Sequence, residues 1–350
     1  MTRSVSSSEN VRPERAEAHV QQLRERVNAE LAALEPREQP ALLYEPVRYV
    51  LDGGGKRLRP ILLLLVAEAF GADPDDALPA ALAVEVFHNF TLVHDDVMDH
   101  ATERRGRAAV HRRWDTGTAL LAGDLLLVRA YDLLAETETA DLRTLMRPFR
   151  RMARRLCEGQ AFDKTFETQA DVSVEEYLDM IDGKTAALLG ATLELGGRCG
   201  EADSDEADAL RRAGAALGRA FQIQDDLLDL TADPERWGKP VGGDLREGKK
   251  TFLLLRALEC AVDGAADEKT RALFERAAEE GLTEENIEAA RQRMDRLGVL
   301  DDARRAVARH TDAATDHLER ALPAADRTER QTEAAGTLRW LIGEMQVRDA

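Results

Sequence analysis

From about residue 13 to the C-terminus, apolar side chains recur at spacings of three and four almost without interruption. A helix of 3.6 residues per turn places such positions on one face, whereas a strand needs alternation. Alternating β-branched runs are nearly absent, and the dominant residues, Ala, Leu, Arg and Glu, are good helix formers. The chain is therefore expected to be all-α. Breakers at Pro40, Gly53-Gly54-Gly55, Gly71 to Pro74, Gly106, Gly196-Gly197, Pro234, Gly238 to Gly243, Gly248 and Pro323 divide it. They leave about ten to thirteen helices. Ser173 followed by Glu176 is a capping-box signature for a helix over 174–195. No linker rich in Pro, Gly or Ser interrupts the interior, so residues 13–350 read as one domain behind a polar, disordered tail at 1–12.

Charge and cysteine usage remove several function classes. The net charge is −18, from 66 acidic and 48 basic residues, which disfavours a bulk nucleic-acid binder. The first residues lack an apolar stretch and do not resemble a signal peptide. The longest apolar run, Ile61 to Ala67, is broken by Glu68 and is too short to span a bilayer. Cys157, Cys199 and Cys260 are too widely spaced for a zinc pattern or a disulfide framework, which points to a reducing cytoplasm.

One acidic pattern occurs twice: Asp95-Asp96-Val97-Met98-Asp99 and Asp225-Asp226-Leu227-Leu228-Asp229. Each closes an apolar helical stretch, Ala80 to Val97 and Ala213 to Leu230. On a helix, residues i and i+4 share a face, so Asp95 and Asp99, and again Asp225 and Asp229, repel unless a cation lies between them. Oxygen-only groups of this kind suit a hard cation such as Mg²⁺, completed by water and phosphate oxygens. A single copy is equally a solvated acidic helix end; two copies, each after an apolar helix, favour the metal, and the two read as halves of one site. The Gly-centred loop of an EF-hand is missing.

Lysine is rare, with 7 against 41 arginines, and five of the seven fall in short motifs beside Gly or Thr. Gly53-Gly54-Gly55-Lys56-Arg57-Leu58-Arg59-Pro60 joins two helical patterns and offers three cations where glycine lets backbone approach a ligand. That composition suits phosphate, although a plain helix-linking turn shares it. It is not a Walker loop. Arg104-Arg105-Gly106 follows the first acidic cluster, and Gly183-Lys184-Thr185 sits inside a helical pattern. Trp237-Gly238-Lys239-Pro240 and Gly248-Lys249-Lys250-Thr251 follow the second. His88 stands seven residues before Asp95 on the same face, as either a phosphate contact or a hydrogen-bonded structural histidine. No local signature of a Ser-His-Asp or Cys-His nucleophile is present. Acidic clusters for metal and basic loops for phosphate together imply a polyanionic substrate bridged by metal.

In these motifs and their order, from about residue 40 to 255, the chain resembles the polyprenyl synthetase family, the trans-isoprenyl diphosphate synthases. The resemblance implies an all-α isoprenoid synthase fold around a central cavity, a homodimer, and condensation of isopentenyl diphosphate onto an allylic diphosphate such as dimethylallyl, geranyl or farnesyl diphosphate. It implies Mg²⁺, three ions per site, on Asp95, Asp99 and Asp225, with Asp96, Asp226 and Asp229 helping directly or through water. Lys56, Arg59 with Arg57, His88 and Arg105 match positions that hold isopentenyl diphosphate. Arg104, Lys184, Thr185, Gln222, Lys239 and Lys249 match positions that hold the allylic diphosphate, Lys250 being the alternative to Lys249. Asp95, Asp99, Asp225, Lys184 and Arg104 would carry catalysis.

The first cluster reads DDVMD, without the two-residue insertion of the usual bacterial farnesyl-producing pattern, and bulky Phe90 stands five positions before Asp95. Both favour geranylgeranyl diphosphate as product, with farnesyl diphosphate second. Phe90 is expected to floor the tail pocket, with Val86 and Leu82 deeper, although Thr91 shares the Asp95 face better. A class I terpene cyclase would replace the second cluster and lack the second basic set. A non-catalytic synthase subunit would have lost aspartates that are intact here.

Overall fold

A computed structural model describes residues 11–35, 37–232, 241–262, 264–322 and 328–346. Within these the chain is helical as expected, apart from one hairpin of two-residue strands, Glu103–Arg104 and Arg107–Ala108. The helices are α1 Pro13–Ala33, α2 Ala41–Leu51, α3 Leu58–Ala69, α4 Pro74–Met98, α5 Val110–Arg113, α6 Thr116–Ala135, α7 Leu142–Phe166 and α8 Val174–Ile181. A π-turn, Asp182–Ala186, leads into α9 Ala187–Cys199. There follow α10 Ser204–Thr231, α11 Gly243–Glu247, α12 Phe252–Val262, α13 Glu268–Glu280, α14 Glu284–Arg296, α15 Val299–Ala321 and α16 Glu329–Gln346. None of the described helices is long and apolar enough to cross a membrane.

Contacts divide the described chain into two compact units. The first lies within Met1–Arg150, Ala191–Arg211 and Arg320–Ile342, and the second within Arg151–Gly190, Arg212–Glu319 and Gly343–Ala350.

In the first unit α3 is buried on all sides, from Pro60 through Ala69, as its unbroken apolar run requires. It packs along α4, which in turn lies along α6. The start of α4 is fixed by Pro74 in the first turn and by the Asp73 carboxylate, which accepts from the N–H of Asp75 at 3.0 Å. Gly196 and Gly200 of this unit lie against Leu63–Val66 and Phe70, where a Cβ would collide with the Leu63 and Phe70 carbonyls.

The second unit has its own apolar core, built on Phe166, Tyr177, Ile223, Leu227, Leu254 and Phe274 among others. Its α8 starts with the expected capping box: Ser173 Oγ accepts from the Glu176 N–H at 3.2 Å, and Glu176 Oε2 accepts from the Ser173 N–H at 2.8 Å. The helix expected over 174–195 is not continuous, because the π-turn interrupts it at Asp182–Ala186. Tertiary packing causes the break: Gly183 crosses Gly159 of α7 so closely that a Cβ on Gly183 would lie 2.5 Å from the Arg155 carbonyl oxygen and 2.8 Å from the Gly159 Cα. Gly214 and Gly218 of α10 make a similar approach to Leu189 and Ala186.

Candidate active site

Both acidic clusters stand where the sequence places them, at the C-terminal ends of α4 and α10. The three aspartates of each differ in exposure. Asp95 is half-buried and Asp96 buried, while Asp99, one residue past the end of α4, is exposed. Asp99 still follows the helical path, since its N–H bonds the Asp95 carbonyl at 2.8 Å. In the second cluster Asp225 and Asp229 are half-buried and Asp226 is buried.

In both clusters the second aspartate turns inward to hold protein groups. Asp96 Oδ1 accepts from Arg104 Nε at 2.8 Å and from its terminal nitrogen at 2.5 Å. Burial raises the Asp96 pKa, and the Arg104 hydrogen bond opposes the rise. Asp226 accepts from the Tyr177 hydroxyl at 2.5 Å, from Gln222 Nε2 at 3.1 Å and from the Phe252 N–H at 3.1 Å. Burial and the charge of Asp244 push the Asp226 carboxyl up to about 6 against those hydrogen bonds. Asp229 is raised by burial and again by Asp244, whose N–H it bonds at 3.1 Å.

The basic turn before α3 resolves into separate tasks. Arg57, left-handed at φ 50°, caps the helix from a buried position. Its guanidinium donates to Glu85 at 2.6 Å, to Asn28 at 3.0 Å and to the Leu51 carbonyl at 2.9 Å. Through these contacts the Arg57 side chain ties the turn to α1, α2 and α4. Arg59 instead donates to Nε2 of His88 on α4 at 3.3 Å. Burial first, then the charges of Arg59, Arg105, Arg104 and Arg57, hold His88 well below its usual pKa. His88 is thus a neutral imidazole accepting at Nε2, with its proton on Nδ1. Lys56 is exposed in the same turn.

Arg104 and Arg105 come from the small hairpin. Its register pairs Glu103 with Ala108 and Arg104 with Arg107, leaving Arg105 and Gly106 as the two turn residues at φ 55° and 71°. Two positive φ angles in a two-residue loop define a type I′ turn. The Arg105 guanidinium donates to the Gly54 carbonyl at 2.5 Å and lies against Gly55, where a Cβ would come within 3.2 Å of it. Gly54 and Gly55 both have positive φ, at 69° and 131°.

In the second unit the π-turn presents Lys184 and Thr185. Lys184 Nζ pairs with Asp163 of α7 at 2.5 Å. Thr185 donates to Gln222 Oε1 at 3.1 Å, so Thr185, Gln222, Asp226 and Tyr177 form one hydrogen-bonded chain. Asp182 in the same turn is held by an ion pair with Arg219. Gly214, Gly218, Gln222 and Asp226 recur every four residues of α10, so the glycines that allow the close approach share a face with the polar groups that use it. Lys250 donates to the Phe166 carbonyl at 2.7 Å, whereas Lys249 lies 3.9 Å from Asp244, which favours Lys249 as the lysine of the acidic cluster. Lys239 lies outside the described residues.

On α4, below Asp95, Phe90 is half-buried and meets His94 edge-on at 4.8 Å and Phe87 at 5.3 Å. Phe87 continues to Phe149 at 5.2 Å, and Phe149 to Tyr131 at 5.1 Å. Thr91 donates its hydroxyl to the His88 carbonyl at 2.8 Å, while Val86 and Leu82 are buried.

Sequence reasoning missed Asp163 and Tyr177, which come from other helices than their partners. The only local hint of the first was Gly159 inside a helical run.

Among the described residues, no three His, Cys, Asp or Glu side chains gather tightly enough to hold a metal ion by themselves. Mg²⁺ does not need such a cage: it takes one or two carboxylates and completes its shell with water and phosphate. The all-oxygen donors at both helix ends, and the mutual repulsion of Asp226, Asp229 and Asp244, fit such an ion.

A family model described as polyprenyl synthetase matches residues 40–294. The chain belongs to that family. Over 238 residues it is 44% identical to a geranylgeranyl diphosphate synthase of Methanosarcina mazei, covering 67% of this chain and 74% of that protein. It is 39% identical over 306 residues to a geranylfarnesyl diphosphate synthase of Natronomonas pharaonis, covering 82% and 87%. The crystal structure of a polyprenyl synthase from Caulobacter crescentus CB15, complexed with calcium and isoprenyl diphosphate, matches with a TM-score of 0.81 at 31% identity, covering 96% of this chain and 98% of that one.

Proposed function

We propose that this chain is a transferase that condenses isopentenyl diphosphate with an allylic diphosphate and releases geranylgeranyl diphosphate. The observation that carries the reading is the cluster of Arg59, neutral His88 and Arg105 on the unit that also bears Asp95 and Asp99. Such a cluster suits a diphosphate: two guanidiniums supply charge, and the Nδ1–H of His88 is a donor that adds no charge of its own.

Lys56, Arg59, His88 and Arg105 bind isopentenyl diphosphate, with Arg57 fixing the turn. Arg104, Lys184, Thr185, Gln222 and Lys249 bind the allylic diphosphate, and Lys239 is assigned there too. Asp95, Asp99 and Asp225 would hold Mg²⁺, three ions being the expected complement, with Asp229 beside them. Mg²⁺ supplies neutralisation of the departing diphosphate when bound. Lys184 and Arg104 add fixed positive charge where the leaving group develops its own. In the reaction the allylic carbon–oxygen bond breaks, the double bond of isopentenyl diphosphate attacks the cation, and a proton leaves to restore a double bond. The released diphosphate can take that proton. The residues that hold the homoallylic partner align its double bond, and no enzyme nucleophile is needed.

Phe90 limits tail length, backed by Val86, with Thr91 beside it. We also read the protein as a homodimer in a reducing cytoplasm: α6 leaves Leu121 and Val128 more than half exposed on one face, and no disulfide joins the described cysteines.

The test is incubation of labelled isopentenyl diphosphate with each of the three primers, with and without Mg²⁺, and chromatography of the dephosphorylated products. A C20 alcohol formed only with Mg²⁺ is expected. No elongation from any primer, or full turnover in excess chelator, sinks the reading.

A further inference from the structure

The hairpin that carries Arg104 and Arg105 is too small to hold itself. An isolated two-stranded hairpin is marginal in water, and this one has only two paired residues on each strand. The Ala109 N–H bonds the Thr102 carbonyl at 3.0 Å and closes the base. Two further ties run through the arginines themselves, Arg104 to Asp96 and Arg105 to the Gly54 carbonyl. A guanidinium that must bind a diphosphate cannot also be the permanent anchor of its own backbone.

The independent anchor is Tyr49, on α2. Its hydroxyl donates to the Ala108 carbonyl at 2.9 Å. The Arg107 guanidinium lies 3.7 Å over its ring and donates to its backbone carbonyl at 3.1 Å. Arg113 covers the ring at 4.4 Å, and Trp114 meets it edge-on at 5.3 Å. One side chain therefore grips the second strand by a hydrogen bond and by cation–π stacking. The turn that follows Tyr49 carries Gly54, so α2 fixes both ends of the distance across which Arg105 reaches.

We propose that Tyr49 is a positioning residue that clamps the hairpin to α2 and so aims Arg105 at the diphosphate of the homoallylic substrate. The inference rests on the assignment of Arg105 to that substrate and adds what holds it in place. Tyr49 touches no reacting atom in this scheme and acts through the hairpin.

Steady-state kinetics of the full chain, varying each substrate in turn, test it. Tyr49→Leu is expected to raise KM for isopentenyl diphosphate about tenfold, with kcat within about twofold and a smaller change for the allylic substrate. Tyr49→Phe keeps the stacked ring and should restore most of the affinity. Arg107→Leu removes the stacked cation and its bond to the Tyr49 carbonyl while leaving the residues of α2 unchanged, and should move the same KM in the same direction, which keeps the clamp testable if Tyr49→Leu does not fold. Combined with Arg105→Ala, Tyr49→Leu should add little, because both act through one contact. An unchanged KM in both Tyr49→Leu and Arg107→Leu, or effects that multiply in the double variant, overturns the clamp while leaving Arg105 as a ligand. An unchanged KM in Arg105→Ala overturns the assignment of Arg105, and the clamp with it.

Discussion

Arg59 donates to Nε2 of His88 across the α3–α4 packing, and the imidazole so held is neutral. Its folded pKa lies well below the usual value, so the unfolded chain binds a proton that the folded chain refuses. Stability from this group is therefore present above the unfolded pKa of about 6.5 and is lost as pH falls below it, by at most about 1.4 kcal/mol per pH unit. Urea melts at pH 7.5 and 5.5 should show a larger acid loss for the wild type than for His88→Gln. Equal losses would mean that His88 is charged in the folded state.

Asp225→Asn and Asp226→Asn should separate. The first is expected to collapse kcat with the melting temperature unchanged or raised, since it relieves carboxylate repulsion. In the second, the N–H₂ that replaces one oxygen faces a donor in either orientation: Tyr177 and the Phe252 N–H at Oδ2, or Gln222 at Oδ1. That mismatch should cost about 1–3 kcal/mol of stability. Calorimetry of the metal-free variants checks both, and a stable Asp226→Asn would remove the structural role assigned to that aspartate.

Gly183→Ala puts a methyl group into the Gly159 backbone and should force the π-turn away from α7. Overpacking of this kind costs about 1–3 kcal/mol. Because Lys184 is the next residue, KM for the allylic substrate should rise as well. A variant with wild-type melting and kinetics would show that the crossing is looser than this.

Lys184→Ala should raise KM for the allylic substrate more than for isopentenyl diphosphate, and Lys56→Ala the reverse. Each lost charge-assisted contact corresponds to roughly ten- to a hundredfold. Equal effects of both variants on both substrates would leave the two subsites unresolved and the assignment wrong.

Phe90→Ala removes the end of the aromatic chain that runs through Phe87 and Phe149 to Tyr131. Longer products with retained turnover are expected, read by chromatography of the dephosphorylated alcohols. Unchanged length at normal activity would move the floor of the tail pocket elsewhere.

What could be read from sequence was what one helix decides alone. The apolar periodicity gave the helical class, and the acidic clusters fell at the ends of α4 and α10 because a DDxxD pattern closing an apolar run marks such an end. The capping box at Ser173 is likewise local. The choice among neighbouring cations was not legible. Lys56, Arg57 and Arg59 look alike in sequence, and only partners on other helices, the buried Glu85 among them, show that Arg57 is held by the protein. The hairpin at 103–108 was invisible because two-residue strands have no alternation to detect. The break at Asp182 has its cause in Gly159, 23 residues upstream, and no local rule reports such a crossing.

The type I′ turn at Arg105-Gly106 gives the hairpin a frame. Adjacent arginines leave it in different directions, Arg104 to Asp96 and Arg105 to the Gly54 carbonyl, so one dipeptide serves two addresses. That division depends on the loop being two residues long, with Arg104 in the strand and Arg105 in the turn. Inserting one residue ahead of Gly106 would conserve every charge in the segment and still abolish the turn type that sends the two arginines apart.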